Sequence, residues 1–293
     1  MSDPAPVSVS VEWLQQHLGK PGVQVLDGTF HTPGRGRDGR EEYLAARIPR
    51  AVFFDIHHIA DPTPGPPWRM LPTPERFADE VGKLGLDPEA HIVIYDAIGL
   101  YSAARVWWMF RIFGHDKVSV LDGGLPAWKA VGGAIEAGPV GEPAQTAWPV
   151  RTFHADRVRN WQQVLANIDS GKEVLVDVRP PLQFMGDTTA IYPGVRTGHI
   201  VGAINLSQRD LLHPDGRLRS DEEMRAVFAR AGVDVDAPII ASCGSGVTAC
   251  ILTLALEKLR GRQGAVYDGS WEEWGGRPDL PYVAGNPDIE PAR

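Results

Sequence analysis

Cys243 heads a run of small residues, Cys243-Gly244-Ser245-Gly246-Val247-Thr248, and this stretch is the one best suited to covalent chemistry. Ahead of it, Ile239-Ile240-Ala241-Ser242 reads as a short buried strand; behind it, Thr248 to Arg260 reads as an apolar helix. The glycines let the backbone curl tightly, with N–H groups turned inward at the positive end of the helix. Such donors stabilise negative charge, so the loop is expected to favour the thiolate and to cradle a sulfur held on it. Thiolate is the nucleophilic form, which makes Cys243 the catalytic candidate. A cysteine that only packs is the alternative, and the strand end, the glycines and the helix start together argue against it. Ser245 and Thr248 bring hydroxyls that could donate to the sulfur; loop solvation and N-capping are their other roles.

Cys250 lies within the helix and no Cys-x-x-Cys spacing occurs, so it is read as core packing rather than half of a dithiol. A cysteine phosphatase also uses a backbone cradle, but adds an arginine six residues after the cysteine to clamp phosphate. Ala249 holds that place, and no Arg or Lys lies between Cys243 and Glu257. Gly34-Arg35-Gly36 lacks the strand–turn–helix context of a dinucleotide site. Arg35, Arg37 and Arg40 belong to a Gly/Pro-rich loop spanning Thr32 to Arg40, read as solvated rather than anion-binding. No metal and no organic cofactor are expected.

The elements that must hold Cys243 follow from the rest of the chain. Its 293 residues are enough for one large or two ordinary domains. A hydrophobic share of 43% and a charged share of 23% are those of a soluble globular protein. The net charge of -8 argues against nucleic acid or an anionic membrane surface as partner. Met1-Ser2-Asp3-Pro4-Ala5-Pro6 has neither a basic nor an apolar leader region, and two cysteines give no disulfide framework, so a reducing cytoplasm is the expected setting.

Strands are expected at Val23–Asp27, Ala51–Asp55, His91–Asp96 and Val118–Leu121, with helices at Ser10–Leu18, after Thr73-Pro74-Glu75, and over Ser102–Phe113. The second half replays the first. Glu173–Asp177 repeats Val23–Asp27, and Ile200–Asn205 repeats Ile48–Phe53. Ser220-Asp221-Glu222-Glu223, a capping-box start, stands as far before Cys243 as Thr73 stands before Asp96. Asp268 and Trp274 match Asp122 and Trp128 at almost the same offset that relates Cys243 to Asp96. Two copies of one α/β module, each a parallel sheet flanked by helices, are predicted over 8–135 and 156–285, with a linker at 136–155. Only the second copy has a nucleophile.

These residues carry a resemblance. The chain resembles the two-domain rhodanese-like sulfurtransferases, most closely the 3-mercaptopyruvate type, through Ile48-Pro49-Arg50-Ala51-Val52-Phe53-Phe54-Asp55, Tyr101–Phe110, Val120-Leu121-Asp122-Gly123-Gly124, Val176-Asp177-Val178-Arg179, Gly198-His199-Ile200 and the Cys243–Thr248 loop. The resemblance implies a fold of tandem rhodanese-like modules and a persulfide on Cys243, loaded by a small sulfur donor. Discharge would be to cyanide or a thiol acceptor such as a thioredoxin-like protein. Two places depart from the family pattern. A histidine usually precedes Met-Leu-Pro; here Arg69 does, while His57 follows Asp55-Ile56. Two arginines usually grip the donor carboxylate; here Gln183 and Tyr192 hold those places, with Arg196 near the second. Arg69, Gln183, Tyr192 and Arg196 are thus the candidate substrate-binding residues, and a 3-mercaptopyruvate-like donor and thiosulfate both stay open. Asp177 and Arg179 read as a structural ion pair and His199 as a packing residue. The competing reading is a persulfide carrier, weakly active or non-enzymatic, that binds a partner protein.

Overall fold

The computed structural model describes residues 5–32, 34–188 and 190–284. Of the stretch Met1–Pro6, where no leader is expected, residues 1–4 lie outside them, as does the expected domain end at 285. Contacts divide the chain into two compact units: Met1–Thr63, Leu71–Ala155 and Leu212–Leu218 form one, and Pro64–Met70, Asp156–Leu211 and Arg219–Arg293 the other.

The first unit runs β1 (Ser8–Val9), α1 (Val11–His17), β2 (Val23–Asp27), α2 (Gly39–Ala45), β3 (Val52–Phe53), α3 (Ile56–Ile59), α4 (Pro74–Lys83), β4 (His91–Tyr95), α5 (Ala103–Ile112), β5 (Val118–Leu121) and α6 (Gly124–Ala130). Its sheet has the order β1-β5-β4-β2-β3, parallel throughout. The central strand β4 is a run of apolar residues because helices cover both faces, and every residue of α5 is buried. Thr73 caps α4 by accepting the Arg76 N–H at 3.2 Å, with Pro74 in the first turn where its missing N–H costs nothing. The Thr32–Arg40 loop is shorter than expected. Asp38 accepts the Glu41 N–H at 2.9 Å and starts α2, a cap hidden among arginines and glycines. The expected linker packs on this unit: Thr146 bonds to Gly82 and Leu86, and Trp148 is buried.

The second unit runs β6 (Val158–Arg159), α7 (Trp161–Ser170), β7 (Val174–Asp177), α8 (Pro181–Met185), β8 (His199–Ile200), β9 (Ile204–Asn205), α9 (Asp221–Arg230), β10 (Ile239–Ser242), α10 (Ala249–Arg260), β11 (Ala265–Tyr267), α11 (Ser270–Gly276) and β12 (Tyr282–Val283). Its parallel sheet has the order β6-β11-β10-β7-β9, the same path as the first, so the repeat in the sequence is a repeat in topology. The pair β8 and β12 adds a small antiparallel ribbon that strand periodicity was too short to signal. Both halves of the Ser220/Glu223 capping box form at the start of α9. Gly261, at φ +68, closes α10 and sends its N–H back to the Glu257 carbonyl.

Candidate active site

Cys243 is the first residue past β10, the central strand of the second sheet, at the carboxyl end where open α/β sheets place their sites. Four buried residues bring the chain to it, and nine buried residues of α10 anchor the far side of the loop. Cys243 is 1% exposed, and Ser245, Val247 and Thr248 are buried too. Gly246, at φ +73, supplies the left-handed step that turns the chain into α10. Thr248 stands at the N-cap position but makes no side-chain cap bond, so its hydroxyl is not spent on the helix. Ser245 is withdrawn from solvent and shares a side-chain hydrogen bond with Tyr192.

The start of α11 fixes the loop. Ser270 Oγ accepts the Cys243 N–H at 3.1 Å and donates to the Tyr267 carbonyl at 2.8 Å, with Cys243 Sγ at 4.0 Å. The N–H groups of Trp271 and Glu272 reach the carbonyls of Cys243 and Gly244 at 3.0 and 2.7 Å. Pinning those carbonyls orients the peptide planes of the loop. Ser270 has φ +50, unusual for a residue with a side chain; its counterpart in the repeat is Gly124, at φ +53. A serine accepts that backbone cost, roughly 1 kcal/mol, where its hydroxyl is needed.

The first unit gives the same loop an occupant of its own. Asp96, the match of Cys243, follows β4 and is fully buried. Its carboxylate accepts the N–H groups of Ile98 (2.9 Å), Gly99 (3.1 Å), Tyr101 (2.7 Å) and Ala103 (2.9 Å). The first three of these correspond to Ser245, Gly246 and Thr248. Leu125 also donates to the Asp96 carbonyl at 3.0 Å, as Trp271 does to that of Cys243.

The other candidates separate. Beside Gly244 is a partly open cavity whose walls include Gln183, Ile191, Tyr192, Val195, Arg196 and Trp271. Gln183, on α8, is half-buried in that wall. Tyr192 is buried against the loop; an added Cβ on Gly244 would meet its hydroxyl at 3.2 Å. Burial chiefly, helped by the nearby Cys243, pushes the Tyr192 phenol well above its usual range, so it is a neutral donor. Arg196 lines the cavity but spends its guanidinium on the carbonyls of Trp274, Gly275, Arg277 and Leu280. Arg69 forms a buried ion pair with Glu272, Nη2 to Oε2 at 2.6 Å. Burial raises the Glu272 carboxyl, and Arg69 opposes that. His57 is exposed on α3 in the first unit.

Asp177 and Arg179 form the expected ion pair, at 2.6 Å, and Arg179 also donates to the Gly198 carbonyl. His199 stacks on Phe184 at 3.7 Å and bonds to its carbonyl. Cys250 is core, its thiol turned to the Gly246 carbonyl. Among the described residues there is no group of three or more side chains suited to a metal.

Ser270 and Glu272 were not legible as site residues by motif. The repeat offers a signal for Ser270, since the position is glycine in the first copy and only there can be bare; nothing in the sequence ties Glu272 to Arg69 across their separation.

The sequence profile of the rhodanese-like domain matches residues 10–131 and 160–277. The 3-mercaptopyruvate sulfurtransferase of Escherichia coli K12 is 40% identical over 274 residues, covering 93% of this chain and 96% of the relative. The thiosulfate sulfurtransferase of Bos taurus is also 40% identical, covering 91% of each. Among solved structures, the crystal structure of SseA from Escherichia coli, described as a 3-mercaptopyruvate sulfotransferase, aligns with a TM-score of 0.80 at 38% identity, over 91% of this chain and 99% of that one.

Proposed function

The chain belongs to the rhodanese-like sulfurtransferases, and from that premise we propose that it loads a sulfane sulfur onto Cys243 from a small donor and passes it to a thiol or cyanide. The donor is 3-mercaptopyruvate-like or thiosulfate, the substrates in the names of relatives that are equally similar in identity. With thiosulfate, the Cys243 thiolate attacks the outer sulfur, an S–S bond forms, and sulfite leaves with the electron pair of the broken S–S bond. With 3-mercaptopyruvate, the C–S bond breaks, the enolate of pyruvate leaves, and it takes up the proton that the donor thiol carried. In either case the anionic persulfide then gives its outer sulfur to cyanide, as thiocyanate, or to a thiolate, as a new persulfide. Cys243 returns as thiolate. The acceptor proposed is a low-molecular-weight thiol or a thioredoxin-like protein.

The observation that carries this reading is Asp96. A loop of the same topology holds a carboxylate on four backbone N–H groups, so its partner, with a cysteine in place of the aspartate, is built to hold an anionic sulfur. Tyr192 and Ser245 add hydroxyls beside it. Gln183 and Tyr192 form a wall for the donor, and Arg196 holds the wall in place. No helix among the described residues is long and apolar enough to cross a membrane, and a cytoplasmic setting, with its reduced thiol acceptors, fits the chemistry.

The test is to incubate the protein with each donor, record intact mass, and follow turnover to cyanide and to a dithiol. Gain of one sulfur in the wild type but not in Cys243→Ser, with turnover, is the expected result. No sulfur gained from either donor would overturn the proposal.

A further inference from the structure

Arg69 is held as few surface arginines are. Its side chain is 3% exposed, that of Glu272 is 1% exposed, and the two meet at 2.6 Å. The Arg69 backbone sits at φ +70, a left-handed conformation that a residue with a side chain adopts only where its surroundings hold it there. Glu272 is in turn fastened to the cysteine loop, since its own N–H donates to the Gly244 carbonyl at 2.7 Å. The Trp68 backbone supplies a further hydrogen bond to the Glu272 carboxylate. Through the bond to Gly244 the ion pair adjoins the residue that follows Cys243.

Both proposed donors are anions, and a buried guanidinium is the group that grips a carboxylate or sulfonate best. The two arginines that line the cavity, Arg179 and Arg196, already have acceptors, and Arg69 reaches the cysteine loop only through Glu272. Arg179 is bound to both oxygens of Asp177, and Arg196 to four carbonyls. Arg69 is neutralised by Glu272. A donor anion must therefore compete with a carboxylate that belongs to the chain and is already desolvated. We infer that Glu272 is a specificity-determining residue, an internal carboxylate that occupies Arg69 and disfavours anionic sulfur donors relative to uncharged ones of the same shape. This rests on the sulfurtransferase reading, and deepens it.

The test uses a matched pair, 3-mercaptopyruvate and its methyl ester, which differ by the carboxylate charge. The readout is the ratio of kcat/KM for the acid to that for the ester, with pyruvate binding by calorimetry as a readout that needs no turnover. In Glu272→Gln the ratio should rise at least fivefold and pyruvate should bind at least fivefold tighter. In the double variant Arg69→Gln/Glu272→Gln both should stay within twofold of wild type. Breaking one half of a buried pair can unfold a protein, whereas removing both charges is commonly tolerated, so the double variant decides the matter if the single one fails to fold. An unchanged or lower ratio in Glu272→Gln overturns the inference. So does a fall of more than fivefold in the double variant, since Arg69 would then have been the anion clamp all along. Failure of the underlying reading looks different: no sulfur appears on Cys243 of the wild type, whatever pyruvate binding does.

Discussion

The hydroxyl oxygen of Ser270 accepts the backbone N–H of Cys243 at 3.1 Å, from a residue whose own backbone is at φ +50. The bond fixes the first peptide of the loop, and the strained backbone is what brings the hydroxyl there. Ser270→Ala keeps the strain and loses the bond. Its kcat/KM should fall about tenfold, as expected for one lost buried hydrogen bond that positions a nucleophile. Ser270→Gly relieves the strain and loses the same bond, so it should melt higher than Ser270→Ala while showing the same kinetic loss. Equal activity in all three proteins would remove Ser270 from the site.

Tyr192→Phe removes the hydroxyl shared with Ser245 and leaves the ring in the cavity wall. Because the phenol is a neutral donor at any working pH, the variant should lower kcat/KM about fivefold without changing the shape of the pH profile. A shifted profile would mean that Tyr192 itself titrates in turnover.

Cys250→Ala should separate the two thiols. Cys250 is fully buried, so the change costs about 1–2 kcal/mol of stability by denaturant unfolding. Sulfur loading should still reach one atom per chain, on Cys243. Loss of loading with the fold intact would point to a dithiol.

Asp96→Ala leaves four inward N–H groups without their acceptor. The expected cost is about 3 kcal/mol or more, with Asp96→Asn milder because one amide oxygen still accepts. Urea unfolding measures both. A loss below about 1 kcal/mol in Asp96→Ala would show that the loop does not depend on an anion.

Asp27 gives a pH dependence. Burial raises its carboxyl to about 6, with the neighbouring Asp96 adding to the rise and Thr29 opposing it. A folded carboxyl that titrates above its unfolded value binds the proton more tightly when folded, so its contribution to stability is full below about pH 4 and is lost as pH rises towards about 6. That loss is on the order of 2–3 kcal/mol. Asp27→Asn should therefore be stabilised relative to wild type at pH 7 and gain little at pH 4, read from urea unfolding at the two values. An equal gain at both would refute the titration.

Much of the architecture was legible because it is written in local pattern. Apolar runs marked β2, β4, β7 and β10, and caps such as Thr73 and Ser220 marked helix starts. Two-residue strands such as β8 and β12 are too short to have a period, and α2 hid behind a cap in a loop-like composition.

The sequence by itself determined where the candidate nucleophile Cys243, its glycine loop, the two-fold repeat and the aspartate at the matching place in the first copy lie, because each is set by contiguous residues or a fixed offset. Tertiary structure decided what surrounds the sulfur. Arg69 and Glu272 are far apart in the chain, and whether an arginine is available to an anion depends on the carboxylate beside it. Ser270 reads as a loop residue until β11 and α11 carry it to the Cys243 N–H. Residue type is local, but charge compensation and hydrogen-bond partners are properties of the packed chain.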